Sequence, residues 1–126
     1  MEREPLPVRK LKQMNEHEIS WLAGYLEGEG SFGVDKRNGS IFIEVRTTDE
    51  DVAQKVASLM GSPSVRGYDP GTYVYKGTQK PVKRWYDTRV YNKVAASIMM
   101  QIFPFMGARR KVRILELLTN YKEKLL

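Results

Sequence analysis

The run from Ile19 to Phe32 constrains the fold of this chain more than any other stretch. On a helix of 3.6 residues per turn, Ile19, Leu22, Ala23 and Leu26 fall on one stripe, while Trp21, Gly24, Tyr25 and Gly28 fall on a second. A helix apolar on more than one side needs cover on more than one side. One stripe is expected to face the domain's own sheet; the other is expected to meet a second helix, with Gly24 and Gly28 letting the backbones approach. Glu29 stands at the helix exit. There the last carbonyls already carry partial negative charge, which disfavours an exposed carboxylate by about 0.3 to 1 kcal/mol. A divalent cation reverses that sign, because hard ions such as Mg²⁺ bind one or two carboxylates together with water and phosphate oxygens. On spacing alone Glu29 reads either as half of a metal site or as a solvated turn residue beside two glycines.

Composition narrows the function classes. The 126 residues carry 21 Lys and Arg against 15 Asp and Glu, a net charge of +6 that favours polyanionic partners. This length suits one domain, and 41% hydrophobic residues suffices for a core. Cysteine is absent, which excludes disulfide scaffolds, thiolate zinc sites and cysteine nucleophiles. His17 is the sole histidine and reads as a first-turn surface residue, so His triads and multi-His metal sites lack material. No apolar run approaches the roughly 20 residues that cross a bilayer, and no signal-peptide core opens the chain, so a soluble intracellular protein is expected.

Residues 1–14, rich in charge and proline, read as a basic N-terminal arm ahead of a single domain spanning 15–126. Asn15 and Glu18 form a capping box that starts the first helix. Phe32 and Val34 alternate toward Asn38-Gly39, a hairpin signal, and the return strand carries Ile41, Ile43 and Val45 on one face and Phe42, Glu44 and Arg46 on the other. Thr48 with Asp51 is expected to cap a second helix whose Val52, Val56, Leu59 and Met60 form a stripe ending at Gly61. From Ser64 to Tyr91 the chain reads as β structure interrupted at Asp69-Pro70-Gly71 and from Gly77 to Pro81. Asn92 is expected to cap a third helix bearing Val94, Ile98 and Ile102, which Pro104 stops. A last helix from about Gly107 presents Val112, Leu115 and Leu118, with Arg109, Arg110, Lys111 and Arg113 at its start.

The segment Leu22-Ala23-Gly24-Tyr25-Leu26-Glu27-Gly28-Glu29-Gly30 resembles the signature of the LAGLIDADG homing endonucleases. Leu22, Ala23, Gly24 and Gly30 match its letters, Tyr25 and Leu26 keep its apolar positions, and Glu27 and Glu29 replace its aspartates with the longer acid. The resemblance implies an α+β fold with an αββαββα core and a curved antiparallel sheet that binds DNA. It implies that Glu29 binds the catalytic metal, helped by the Gly28 carbonyl, and that Mg²⁺ is the cofactor, with Mn²⁺ substituting and Ca²⁺ supporting binding without cleavage. Matching Pro104-Phe105-Met106 to the family makes Arg109 the candidate cation for the transition state, with Arg110 or Lys111 as alternatives. Thr47 and Thr48 stand where the family often orders water. Because there is one signature and no internal repeat, the resemblance also implies a homodimer through Trp21, Gly24, Tyr25 and Gly28, with two copies of Glu29 near the dyad.

Base reading is expected on the β surface, since a two-stranded ribbon enters the major groove and alternate side chains reach base edges. Candidates are Lys36, Arg37, Arg46, Arg66, Tyr68, Tyr73, Tyr75, Lys83, Arg84 and Arg89, with Tyr91; Trp85 and Tyr86 are assigned to core and edge packing. The leading expectation is a homodimeric, Mg²⁺-dependent endonuclease that binds a long pseudo-palindromic duplex and cuts both strands. An RNA-binding intron maturase and a noncatalytic DNA-binding regulator are the alternatives. The retained acid favours cleavage, because neither alternative requires Glu29.

Overall fold

The computed structural model describes residues 13–69, 72–81 and 83–125, and the side chains of 72–75, 81 and 123–125 lie outside that description. The expected arm at 1–14 therefore falls almost wholly outside the described residues. Helix α1 (Glu16–Glu29) starts at the capping box read from the sequence: the Asn15 side chain accepts the Glu18 N–H at 2.9 Å, and the Glu18 carboxylate accepts the Asn15 N–H at 3.0 Å. Such a box satisfies two of the donors that a helix start leaves open. His17 is exposed in its first turn, as expected.

Strands β1 (Gly30–Val34) and β2 (Ile41–Thr47) pair antiparallel, with Val34 opposite Ile41. The turn is wider than a two-residue Asn-Gly link. Asp35 and Ser40 close it, the Asp35 N–H donating to the Ser40 carbonyl at 2.7 Å, and Gly39 takes the left-handed conformation at φ 74°. Along β2, Ile41, Ile43 and Val45 are buried, and Phe42, Glu44 and Arg46 take the opposite face.

Helix α2 (Glu50–Met60) is preceded by Asp49 rather than capped by Thr48. The Asp49 side chain makes no cap hydrogen bond, and its N–H donates to the Thr47 hydroxyl at 3.1 Å. Val56, Leu59 and Met60 are buried as the stripe requires, and Gly61 ends the helix at φ 72°. The next segment holds four strands: β3 (Arg66–Tyr68), β4 (Thr72–Tyr75), β5 (Thr78–Pro81) and β6 (Trp85–Tyr91). The two interruptions read from the sequence leave only three β runs there, because β5 occupies the stretch from Gly77 to Pro81 taken as the second interruption. β4 and β5 form their own two-stranded ribbon, and the main sheet runs β1-β2-β6-β3, antiparallel throughout.

Helix α3 (Asn92–Ile102) buries Ala95, Ile98, Met99 and Ile102 and gives way to a 3-10 turn at Phe103–Phe105, where Pro104 stops it. Asn92 is not its cap. It is the first helical residue, at φ 50°, and its amide donates to the Ser40 hydroxyl at 3.2 Å, tying α3 to the hairpin turn. In α4 (Ala108–Leu125) the inward residues are Ile114 and Leu117, at 0% and 1% exposure, whereas the expected Val112 and Leu115 are 58% and 53% exposed. Leu118 and Tyr121 pack against the core edge.

The core lies between one sheet face, built from Ile41, Ile43, Val45 and Val90, and the helices, which supply Leu22, Leu26, Val56, Met60, Met99, Ile102, Ile114 and Leu117. Each such side chain contributes about 1.5 to 3 kcal/mol through burial. Among the described residues no helix is long and apolar enough to cross a membrane.

Candidate functional site

Glu29 is the last residue of α1, and it lines an open cleft of about 580 Å³ together with Tyr25, Arg46, Thr47, Thr48, Asp49, Val52 and Trp85. Three elements meet there: the exit of α1, the end of β2 and the loop into α2. Burial pushes the Tyr25 phenol above its ordinary pKa, the Thr47 hydroxyl opposes that shift, and the carboxylates of Glu29 and Asp49 add to it. Tyr25 therefore remains a protonated donor at neutral pH. Asp49 is a second carboxylate of this cleft that the sequence does not single out.

Arg110 holds the helix exit in place. Its guanidinium donates to the Gly30 carbonyl at 2.6 Å and to the Glu27 carbonyl at 3.1 Å, and its Nε lies 4.0 Å from the Glu27 carboxylate. A cation at a helix C-terminus opposes the partial negative charge there, which offsets the cost of placing Glu27 and Glu29 in the last turn. The two engaged carbonyls flank Gly28 and Glu29. Arg109, by contrast, is exposed and lines a separate recess with Gly30, Ser31, Phe32, Arg110 and Arg113.

The donor chemistry at the exit suits a hard cation. Glu29 is exposed, Gly28 is among the residues whose carbonyls the ending helix leaves open, and neighbouring hydroxyls of Thr47 and Thr48 add oxygen. Among the described residues, however, no group of three or more His, Asp or Glu side chains converges as a complete metal cage. The residues fit a partial site completed by water and phosphate.

On α1 the two stripes have different fates. Leu22, Ala23 and Leu26 are buried at 0%, 2% and 0% exposure. Gly24 and Gly28 are exposed, and a Cβ at either would meet nothing within 4 Å. Trp21 and Tyr25 flank them, stacked with ring centroids 5.3 Å apart, and Lys55 of α2 covers the Trp21 ring at 4.0 Å.

The sheet face away from the helices brings together part of the expected reading surface. Register places Phe42, Glu44 and Arg46 of β2 opposite Tyr91, Arg89 and Asp87 of β6, and Arg66 and Tyr68 of β3 opposite Asp87 and Trp85. Two of the three arginines there are paired. Arg66 forms a bidentate contact with Asp87 at 3.0 and 3.2 Å, and Arg89 bonds Glu44. Arg46 instead lies over the Trp85 ring at 4.1 Å, and Trp85 stacks on Tyr68 at 3.9 Å. Trp85 thus belongs to the outer face, not to the core as the sequence suggests. Lys36 and Arg37 sit exposed in the β1–β2 turn, with Arg37 paired to Asp35 at 3.1 Å. Lys83 is exposed just before β6, and Arg84 folds over Tyr86 and against Gly67, away from the Arg46 cluster. Tyr73 and Tyr75 lie on β4, with side chains outside the described set. The signal that escapes sequence reading is register: only the pairing of β6 with both neighbours shows which of its alternating residues point outward.

A helix carrying two glycines and a terminal acid, set beside an antiparallel sheet whose outer face carries arginine and aromatic side chains, defines an α+β protein of the LAGLIDADG type. The family model described as LAGLIDADG-like domain matches residues 16–93, more than half of the chain, and the chain belongs to that family. Its fold is similar to solved structures of the homing endonuclease I-CvuI. The complex of that enzyme with its target in the presence of Ca aligns with a TM-score of 0.58 at 16% identity, covering 86% of this chain and 70% of that one. A second complex, with the I-CreI target in the presence of Mg and the DNA not cleaved, gives 0.53 at 14% identity, covering 84% and 69%. No curated protein matches the chain.

Proposed function

We propose that this protein is a homing endonuclease that binds double-stranded DNA on the outer face of its sheet and hydrolyses a phosphodiester in each strand at Glu29. The observation that carries the reading is the placement of Glu29: an exposed carboxylate at the exit of the signature helix, in a cleft continuous with the arginine and aromatic face of the sheet. Glu29 and the Gly28 carbonyl would hold a divalent ion, with Thr47 beside them to orient water. When bound, such an ion lowers the pKa of water and neutralises charge on the phosphate and the departing oxygen. Arg109, in its neighbouring recess, is available to a phosphate of the same strand. The DNA complexes of I-CvuI support a duplex partner on this fold.

The protein acts as a homodimer in this reading. Gly24 and Gly28 leave one side of α1 uncovered, and an isologous contact through Trp21, Gly24, Tyr25 and Gly28 covers it with an identical stripe. The dyad then places two copies of Glu29 on opposite strands of a pseudo-palindromic site. The test is a selection from randomised duplexes in Ca²⁺, followed by Mg²⁺ addition to the enriched pool, with wild type and Glu29→Gln side by side. A pseudo-palindrome that only wild type cuts, on both strands, is the expected result. An enriched site that Mg²⁺ leaves intact makes the protein a DNA-binding regulator, and failure to enrich any duplex turns the search to structured RNA.

A further inference from the structure

We infer that Arg46 contacts the phosphate held at Glu29 and stabilises the charge that develops there, rather than reading a base. This rests on the endonuclease reading above. Among the residues lining the Glu29 cleft, Arg46 is the single cation, and it shares that lining with Glu29, Asp49, Tyr25 and Thr47. Its two companions on the sheet face are already neutralised, Arg66 by Asp87 and Arg89 by Glu44, whereas no carboxylate pairs with Arg46 among the described residues.

Its support is aromatic. The guanidinium lies over Trp85 at 4.1 Å, Trp85 stacks on Tyr68 at 3.9 Å with the rings 16° apart, and Arg66 covers Tyr68 at 5.7 Å while gripping Asp87, which is 2% exposed. The stack thus ends in an ion pair whose carboxylate is buried and whose guanidinium is exposed. A guanidinium held by its face keeps its N–H edges free in the plane, the geometry that engages two oxygens of a phosphate. Charge stabilisation is strongest when the donor is fixed before the reaction, and the stack supplies that fixation without using a single N–H. Trp85 is therefore a positioning residue for Arg46, and it lines the same cleft.

The test uses the full chain and four proteins: wild type, Arg46→Ala, Arg46→Lys and Trp85→Leu. Each undergoes duplex selection in Ca²⁺, and each is then mixed with Mg²⁺ after saturating the wild-type site, so that cutting of bound DNA is followed in a single turnover. Arg46→Ala is expected to enrich the wild-type site unchanged and to cut it about 10²-fold more slowly, the scale for loss of one fixed charge-stabilising donor. Arg46→Lys keeps charge without the fork and falls between the two, and Trp85→Leu slows cutting without altering base preference. Arg46→Ala that cuts bound DNA at the wild-type rate, with preference relaxed at one base pair, overturns the inference and makes Arg46 a reader. Wild type that binds a site and never cuts it removes the endonuclease reading and this inference together, an outcome distinct from the previous one.

Discussion

The two stripes of α1 lie on one helix and differ in what they can stabilise. Leu22 and Leu26 are shut inside the core, whereas Gly24 and Gly28 face open space with no atom within 4 Å of an added Cβ. The inner stripe serves folding. The outer stripe costs the isolated chain helix stability, since glycine in a helix interior is about 0.8 to 1 kcal/mol worse than alanine. Nothing in the chain's own fold requires the space at these two residues; the homodimer proposed above is what would use it.

The largest separation between the stripes comes from Leu26→Ala, which is expected to cost about 2 to 5 kcal/mol in urea unfolding and to leave the outer surface unchanged. A loss below 1 kcal/mol would show that the inner stripe is not the anchor described. Arg110→Met comes next, at about 1.5 to 3 kcal/mol, because hydrogen bonds from a charged group to the Glu27 and Gly30 carbonyls disappear. Arg110→Lys should not restore the full value, as a single ammonium cannot match the fork across Glu27 and Gly30; complete rescue by Lys would reduce the contact to plain charge. The smallest effect carries the sharpest sign. Gly28→Ala is expected to stabilise the monomeric fold by up to about 1 kcal/mol while weakening self-association, measured by equilibrium sedimentation. Stabilisation with undiminished dimer would place the interface elsewhere, and monomer alone in wild type, with and without DNA, would remove it.

Legibility in the sequence followed the range of the interactions. The capping box of Asn15 and Glu18, the alternation of Ile41, Ile43 and Val45, and the Gly61 stop are set by neighbours in the chain, and all appear as read. The face of α4 was not legible, because the expected stripe of Val112, Leu115 and Leu118 competes with that of Ile114, Leu117 and Tyr121, and of the expected three only Leu118 packs against the core. The choice is made by Arg110, a charged residue that points inward because its partners are carbonyls at the end of α1 and the start of β1, some eighty positions earlier. Removing it from the apolar pattern hides the stripe of 110, 114, 117 and 121. Asn92 was misread for a similar reason: its amide is claimed by Ser40 of the distant hairpin turn. At the candidate site, Glu29 was legible through its motif. The presence of Asp49 and Trp85 in the same cleft was not, since each is brought there by the pairing of β2 with β6 and by the loop that follows β2.

The ion pairs of the sheet face carry a consequence for how the protein would leave DNA as well as find it. Arg66 with Asp87 and Arg89 with Glu44 are cations that bring their own counterions, and a paired guanidinium displaces none from a duplex. The slope of log affinity against log salt should accordingly report fewer phosphate neutralisations than the arginines and lysines on this surface would suggest. On the proposed function, random duplex would then hold the protein weakly, and residence would belong to the sites whose bases can replace those internal partners.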